Sequence, residues 1–243
     1  MSTQIIIGIP GMWPTLEDLY AAVAKKAPGF QLTEDRLTNT VTGESWAAEI
    51  YEHDHDLVET FEIVAQPWVD DDMERSIALH TYAVYVLSSR LSVEAAGRIL
   101  HAGKALMSAG GLAVKMESTG LIHSAARWSK FLSGTGDPLQ LYSCFVTLVN
   151  GQERLYSCGM HNLGLPDAEI KSDAGTVDSA AELVNRFNCL QLSEHPSFDE
   201  GDTFRAKPGS HSYRLTKRGC PYEDLDHPFH NPFGMWHLSD DRG

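Results

Sequence analysis

Residues 82–116, YAVYVLSSRLSVEAAGRILHAGKALMSAGGLAVKM, decide the fold. The run 82–87 is short and continuously apolar, as a buried strand requires. Ser92 is placed to cap a long helix whose apolar face is Ala95, Ala96, Ile99, Leu100, Gly103, Leu106 and Met107. Gly110-Gly111 stops that helix, and residues 112–116 form a second buried strand. A strand–helix–strand crossover of this length predicts a parallel pair joined right-handedly.

Upstream, residues 4–9 are a β-rich run ending at the turn signal Pro10-Gly11. Thr15 is placed to cap a helix, with Glu17 and Asp18 in its first turn and Leu16, Leu19, Ala22 and Val23 at helical spacing. Residues 30–33, 38–41 and 45–51 have the composition of strands, so 1–66 is expected to be a β-α-β-β unit with a third strand. Whether that unit extends the main sheet or stands alone is left open. Residues 53–65 are ambiguous: Leu57, Phe61 and Val64 suit a helix, while Val58, Thr60 and a β-branched ending favour the strand that is expected. Pro67-Trp68 breaks the segment, and Asp70, Asp71 and Asp72 open a short helix.

Downstream, residues 124–132 predict a short helix carrying Trp128 and Phe131. Residues 139–149 and 153–160 predict two strands joined by a type I′ turn at Asn150-Gly151. A short strand at 168–170, an amphipathic helix at 177–190 (Ala180, Leu183, Val184, Phe187) and a hairpin of 202–205 with 212–216 follow. The segment 219–243, rich in Pro, His and aromatics, lacks periodicity and is expected to be an irregular arm packed by Tyr222, Phe229, Phe233 and Trp236. The prediction is a single α+β domain over 1–243. It has a mixed, largely antiparallel sheet with helices packed on it, one β-α-β crossover in the middle, and a core within 67–218.

The charge balance is acidic: 19 Lys and Arg against 33 Asp and Glu give −14. Such a field repels phosphate backbones and anionic lipid, so nucleic acid and membrane surfaces are not expected partners; it favours a basic protein partner, while solubility is the simpler reading of the charge itself. No apolar run approaches the ~20 residues of a membrane-spanning helix. The start MSTQIIIGIPGMW lacks a basic leader region, and a cytoplasmic location is expected. Cys144, Cys158, Cys189 and Cys220 are widely spaced and form no CxxC pair, so they are expected to be free thiols, Cys144 and Cys158 within strands.

Candidate chemistry is sparse. His227 and His230, with Cys220 or His237 nearby, supply nitrogen and sulfur of the kind zinc takes. Their spacing is not that of a zinc finger, and Pro228 denies them a helical geometry. Local hydrogen bonding is expected there, with no metal and no cofactor. His53-Asp54-His55-Asp56 would put both histidines on one face of a strand, but a polar turn is the simpler reading. Ser118 and His123 follow a strand, where α/β active sites tend to lie, yet no GxSxG elbow is present. Ser124 as the cap of the next helix, with His123 before it, is the preferred reading. Cys158 and His161 are close in sequence, and Cys158 is expected in the core. Residues 134–138 form a turn rather than a phosphate loop. Of Trp13, Trp46, Trp68, Trp128 and Trp236, most are expected in the core and one or two to anchor a partner.

Two segments, GGLAVKMESTGLIHSAARW (110–128) and GMHNLGLPDAEI (159–170), carry a resemblance. With the strand YAVYVL and the later GDTF, they resemble a bacterial family catalogued only as a domain of unknown function. The resemblance spans about 82–203 and implies an α+β layout. It implies no catalytic residues, and it associates the chain with toxin–immunity and secretion loci. The leading expectation is therefore a non-enzymatic protein, of immunity or adaptor type, that binds a basic partner protein. Ser118, His123, Trp128, His161 and Trp236 are its candidate binding residues, and no catalytic residue is assigned. The alternatives are an enzyme with a pocket near Ser118, His123 and His161, and a homodimer joined through a sheet edge or the aromatic arm.

Overall fold

The computed structural model describes residues 4–63, 71–133, 137–171, 176–222, 224–225, 227 and 229–241. The chain divides into two compact α+β units: Gln4–Arg90 with Glu94–Gly136, and Asp137–Gly243 with Leu91–Val93. Trp68 and residues 134–136 lie outside the described residues.

The first unit runs β1 (Ile5–Gly11), α1 (Leu16–Lys26), β2 (Phe30–Leu32), β3 (Arg36–Asn39), β4 (Ser45–Glu52), α2 (His55–Ile63), α3 (Asp71–Ala78), β5 (Tyr82–Ser88), α4 (Val93–Ser108), β6 (Ala113–Met116), β7 (Ile122–Ser124) and α5 (Ala125–Ser133). Thr15 caps α1 as expected, its Oγ1 accepting the Asp18 N–H at 3.1 Å. The seven strands are ordered β2-β3-β4-β5-β1-β6-β7, with every neighbouring pair antiparallel.

Strands β5 and β6 run parallel to each other, as the crossover predicts, but they are not hydrogen-bonded neighbours. Strand β1 lies between them, with Ile7 opposite both Val86 and Met116. In the same way β5 separates β1 from β4, so the unit interleaves two split β-α-β crossovers. The physical reason is that Ile5, Ile7 and Ile9 are all fully buried, which a central strand provides and an edge does not. The apolar stripes of the crossover helices α1 and α4, Leu19, Val23, Ile99, Leu100 and Leu106, are fully buried.

A Schellman end closes α4. The Gly111 N–H reaches the Leu106 carbonyl (3.0 Å) and the Gly110 N–H reaches Met107 (3.2 Å), with Gly110 at φ +116°. Of the expected strand 53–65, residues 64–65 lie outside the described residues, and residues 55–63 are instead α2. Asp54 nucleates it, its Oδ1 accepting the Leu57 N–H at 3.1 Å. Leu57 then buries with Ile77, Ala83, Ala113 and Ile122, covering one end of the second sheet face.

The second unit runs α6 (Pro138–Phe145), β8 (Thr147–Asn150), β9 (Arg154–Cys158), a 3-10 turn (Met160–Leu163), β10 (Asp167–Lys171), α7 (Val177–Glu194), β11 (Thr203–Arg205), β12 (Ser212–Arg218) and β13 (Met235–Asp240). Its sheet order is β11-β12-β13-β10-β9-β8, antiparallel except for β10 with β13. The first half of the expected strand 139–149 is a helix, so Cys144 is helical. Asp137 caps it, Pro138 holds its first turn, and Leu141, Cys144 and Phe145 bury at i, i+3, i+4. The hairpin forms, but not by a type I′ turn at Asn150-Gly151. Asn150 stays in the strand opposite Leu155, neither residue has positive φ, and the turn closes from the Gly151 N–H to the Arg154 carbonyl at 2.9 Å.

The largest departure is β13. The expected irregular arm ends in a strand between β12 and β10. Met235, Trp236, His237 and Leu238 are all buried, so polar alternation is lost and the run shows no strand period. One face of this sheet packs Leu155, Ala168, Ile170, Leu215, Trp236 and Leu238 against Val184 and Phe187 of α7.

Candidate functional site

In the first unit the sheet face opposite Ile5, Ile7 and Ile9 remains partly open. Register places Glu49, Tyr85, Gly8 and Lys115 in one row across β4, β5, β1 and β6. Gly8 has no side chain, and the Tyr85 ring occupies the space: a Cβ there would sit 2.8 Å from Tyr85 Cε1. Around this row is a pocket of about 620 Å³, its charged and aromatic walls formed by Glu49, Tyr51, Asp54, Tyr85, Lys115 and Glu117. His53, His55, Glu52 and Asp56 complete its rim.

The groups at its centre are tightly held. The Tyr85 hydroxyl donates to Asp54 Oδ2 at 2.5 Å, while Asp54 Oδ1 caps α2. Burial pushes the Asp54 carboxyl up, but the Tyr85 hydroxyl, the Leu57 N–H and the Lys115 charge outweigh it and hold its pKa below the usual value. Burial, then the bond to Asp54, raises the Tyr85 pKa, so Tyr85 stays a neutral donor. His80 accepts the Asp54 N–H at Nε2 (2.8 Å), and its Nδ1 lies 2.7 Å from the Ile77 carbonyl oxygen. That pattern fixes the neutral Nδ1–H tautomer, consistent with a pKa lowered chiefly by burial. His53 Nδ1 lies 2.8 Å from the His80 carbonyl oxygen, and the two rings stack. Lys115, 8% exposed at its side chain, pairs with Glu117 at 3.0 Å. Tyr51, about half exposed, meets the Tyr85 ring edge-on and donates to Glu49 at 2.7 Å.

The pocket thus presents five carboxylates (Glu49, Glu52, Asp54, Asp56, Glu117) against Lys115, which is already paired. Among the described residues no group of three or more His, Cys, Asp or Glu gathers to hold a metal ion, the His53–Asp56 segment included. The arrangement can receive a cationic group, with Tyr51 and Tyr85 supplying aromatic surface.

Of the residues singled out from sequence, His53, Asp54, His55 and Asp56 line this pocket, and the candidate binding residues fall elsewhere. Ser118 is buried in the β6–β7 turn. His123 is buried among Trp128 and Phe131 and accepts from Arg127 Nε at 3.1 Å. Ser124 caps α5 as expected, accepting the Arg127 N–H at 3.3 Å. Trp128 is 1% exposed and donates from Nε1 to the Leu100 carbonyl at 3.1 Å, and Trp236 is 4% exposed, so both are core residues. Trp13 and Trp46 are also buried.

His161 and Trp236 belong to the second unit, whereas Ser118, His123 and Trp128 belong to the first. His227 Nδ1 accepts the Phe229 N–H (3.1 Å), and His230 Nδ1 lies 2.7 Å from the Tyr222 carbonyl oxygen, which are local bonds of the expected kind. None of the four cysteines forms a disulfide among the described residues. Sequence reading missed Tyr85, His80 and Lys115. The signal was present for two of them: Tyr85 and Lys115 interrupt otherwise apolar strands at positions that register aligns.

No helix among the described residues is long and apolar enough to cross a membrane. Comparisons with protein-family models, with curated proteins and with solved structures found no match for this chain.

Proposed function

We propose that this chain is a non-enzymatic binding protein, of immunity or adaptor type, that docks a basic segment of a partner protein in the acidic pocket of its first unit. The observation that carries this is the excess of carboxylates over cations around Tyr51 and Tyr85. The polar groups that acid–base chemistry would use are committed to holding the backbone: Asp54 caps a helix, and His80 is bonded at both nitrogens. An acidic pocket accelerates encounter with a basic partner and makes that rate sensitive to salt.

Titration of the isotope-labelled protein with a short arginine peptide tests the reading by NMR. The expected result is saturable shifts centred on Tyr51, Glu49 and Tyr85 that vanish in Glu49→Lys/Glu52→Lys. Shifts spread evenly over the surface, or unchanged in that variant, would remove the pocket from the account.

A further inference from the structure

The second unit holds a pocket of opposite character. Its sheet face away from α7 carries the row Tyr156, Glu169, His237, Thr216 across β9, β10, β13 and β12. Glu169 is 1% exposed at its side chain, a carboxylate withdrawn from water in the middle of a sheet. Two arginines reach it from strands on opposite flanks: Arg154 Nη1 to Oε2 at 2.8 Å and Arg218 Nη1 to Oε1 at 3.1 Å. His237 Nδ1 lies 3.0 Å from Oε1. Burial, then the Arg218 charge, lowers the His237 pKa, so the ring is neutral and donates this proton to Glu169.

Over this cluster lies a cavity of about 490 Å³, walled by Arg154, Glu169, Lys171, Arg218 and His237, with Gln152 and Glu153 at the hairpin tip. Arg154, Lys171 and Arg218 outnumber Glu169 and Glu153 by one positive charge, in a chain whose sum is −14. Among the described residues each arginine bonds Glu169 through Nη1 alone, and each is nearly half exposed, at 43% and 46%. The remaining N–H groups of two anchored guanidiniums are therefore available at the cavity wall. A planar fork of fixed orientation is the donor that recognises carboxylate and phosphate oxygens.

We propose that this cavity binds an oxyanion, the carboxylate or phosphate group of a small molecule, between Arg154 and Arg218, with Lys171 adding charge. Glu169 and His237 are positioning residues: they fix both guanidiniums before the ligand arrives, which lowers the ordering cost of binding. The site is separate from the acidic pocket and does not depend on the function proposed for it.

Calorimetric titration of the full chain with inorganic phosphate, and separately with succinate, at one fixed ionic strength, tests the assignment. Saturable binding of at least one anion is expected, weakened about tenfold by Arg218→Gln through loss of a charge-assisted bond. Because that variant also removes a partner from a buried carboxylate, Lys171→Gln serves beside it. Lys171 makes no bond to Glu169, and its loss is expected to weaken binding several-fold with the melting temperature unchanged. Binding of phosphate alone identifies a phosphate site, and binding of succinate alone a carboxylate site. No saturable binding of either anion at millimolar concentration, or binding that both variants leave intact, overturns the proposal.

Discussion

His161 is fully buried, and neither ring nitrogen has a hydrogen-bond partner among the described residues. Burial, reinforced by His230, lowers its pKa to about 4. With a folded pKa below the unfolded value, its contribution to stability is present above about pH 6.5 and is lost as pH falls towards 4, by about 2 kcal/mol at pH 5. Asp167 has the opposite sign. Burial raises its pKa to about 6 against the bonds from Asn231 and Ser157, so its contribution is largest below the ordinary carboxylate pKa and is lost as pH rises through 6. His161→Leu should therefore be neutral or stabilising at pH 7, and it should make the fall in stability from pH 7 to pH 5 shallower than in the parent by about 2 kcal/mol in urea unfolding. A fall as steep as in the parent would show that His161 is not the titrating group.

In the acidic pocket, Tyr85→Phe keeps the ring over Gly8 but removes the donor to Asp54. The Asp54 pKa should rise and stability should drop by about 1–2 kcal/mol, read by carboxyl NMR titration and urea unfolding. An unchanged Asp54 pKa would remove the Tyr85 hydroxyl from this description. At this scale the sequence was legible wherever a side chain acts on its own backbone, as Thr15 and Ser124 do in capping. It was silent about Tyr85 with Asp54 and about Glu169 with Arg218, because the fold brings those pairs together across 31 and 49 residues of chain.

Among the elements, α4 and α5 meet where Gly103 faces Trp128. A Cβ at Gly103 would lie 2.6 Å from Trp128 Cζ2, a rigid ring that is itself bonded to the Leu100 carbonyl. Helix propensity favours Gly103→Ala by about 1 kcal/mol, but overpacking costs about 1–3 kcal/mol. Net destabilisation is expected in thermal unfolding, and a higher melting temperature would contradict this packing. Elements with a clear period were readable: α1, α4, β5 and α7 fall where their apolar spacing put them. The failures have local causes. In α2 and α6 a capping aspartate, Asp54 or Asp137, outweighed β-branched or apolar composition. In β13, burial on both faces erased the alternation that marks a strand.

For the whole molecule, an α+β architecture with largely antiparallel sheets was legible from element types alone, and the order of strands was not. The isoleucines of residues 4–11 call for a buried strand but do not say which strands flank it; the fold sets β1 between β5 and β6, where Ile5, Ile7 and Ile9 are fully buried. Nor does a sum of −14 say where the charge collects, and the fold gives one unit an acidic pocket and the other a cationic one. The central claim is that the acidic pocket receives a basic protein. Its most direct test is parallel capture from lysate of the source organism with the parent chain and with Glu49→Lys/Glu52→Lys, followed by association rates across ionic strength. The account predicts a stoichiometric basic partner held by the parent alone, with an association rate that falls steeply as salt is added. The same proteins captured equally by both chains, or an association rate indifferent to salt, would contradict it.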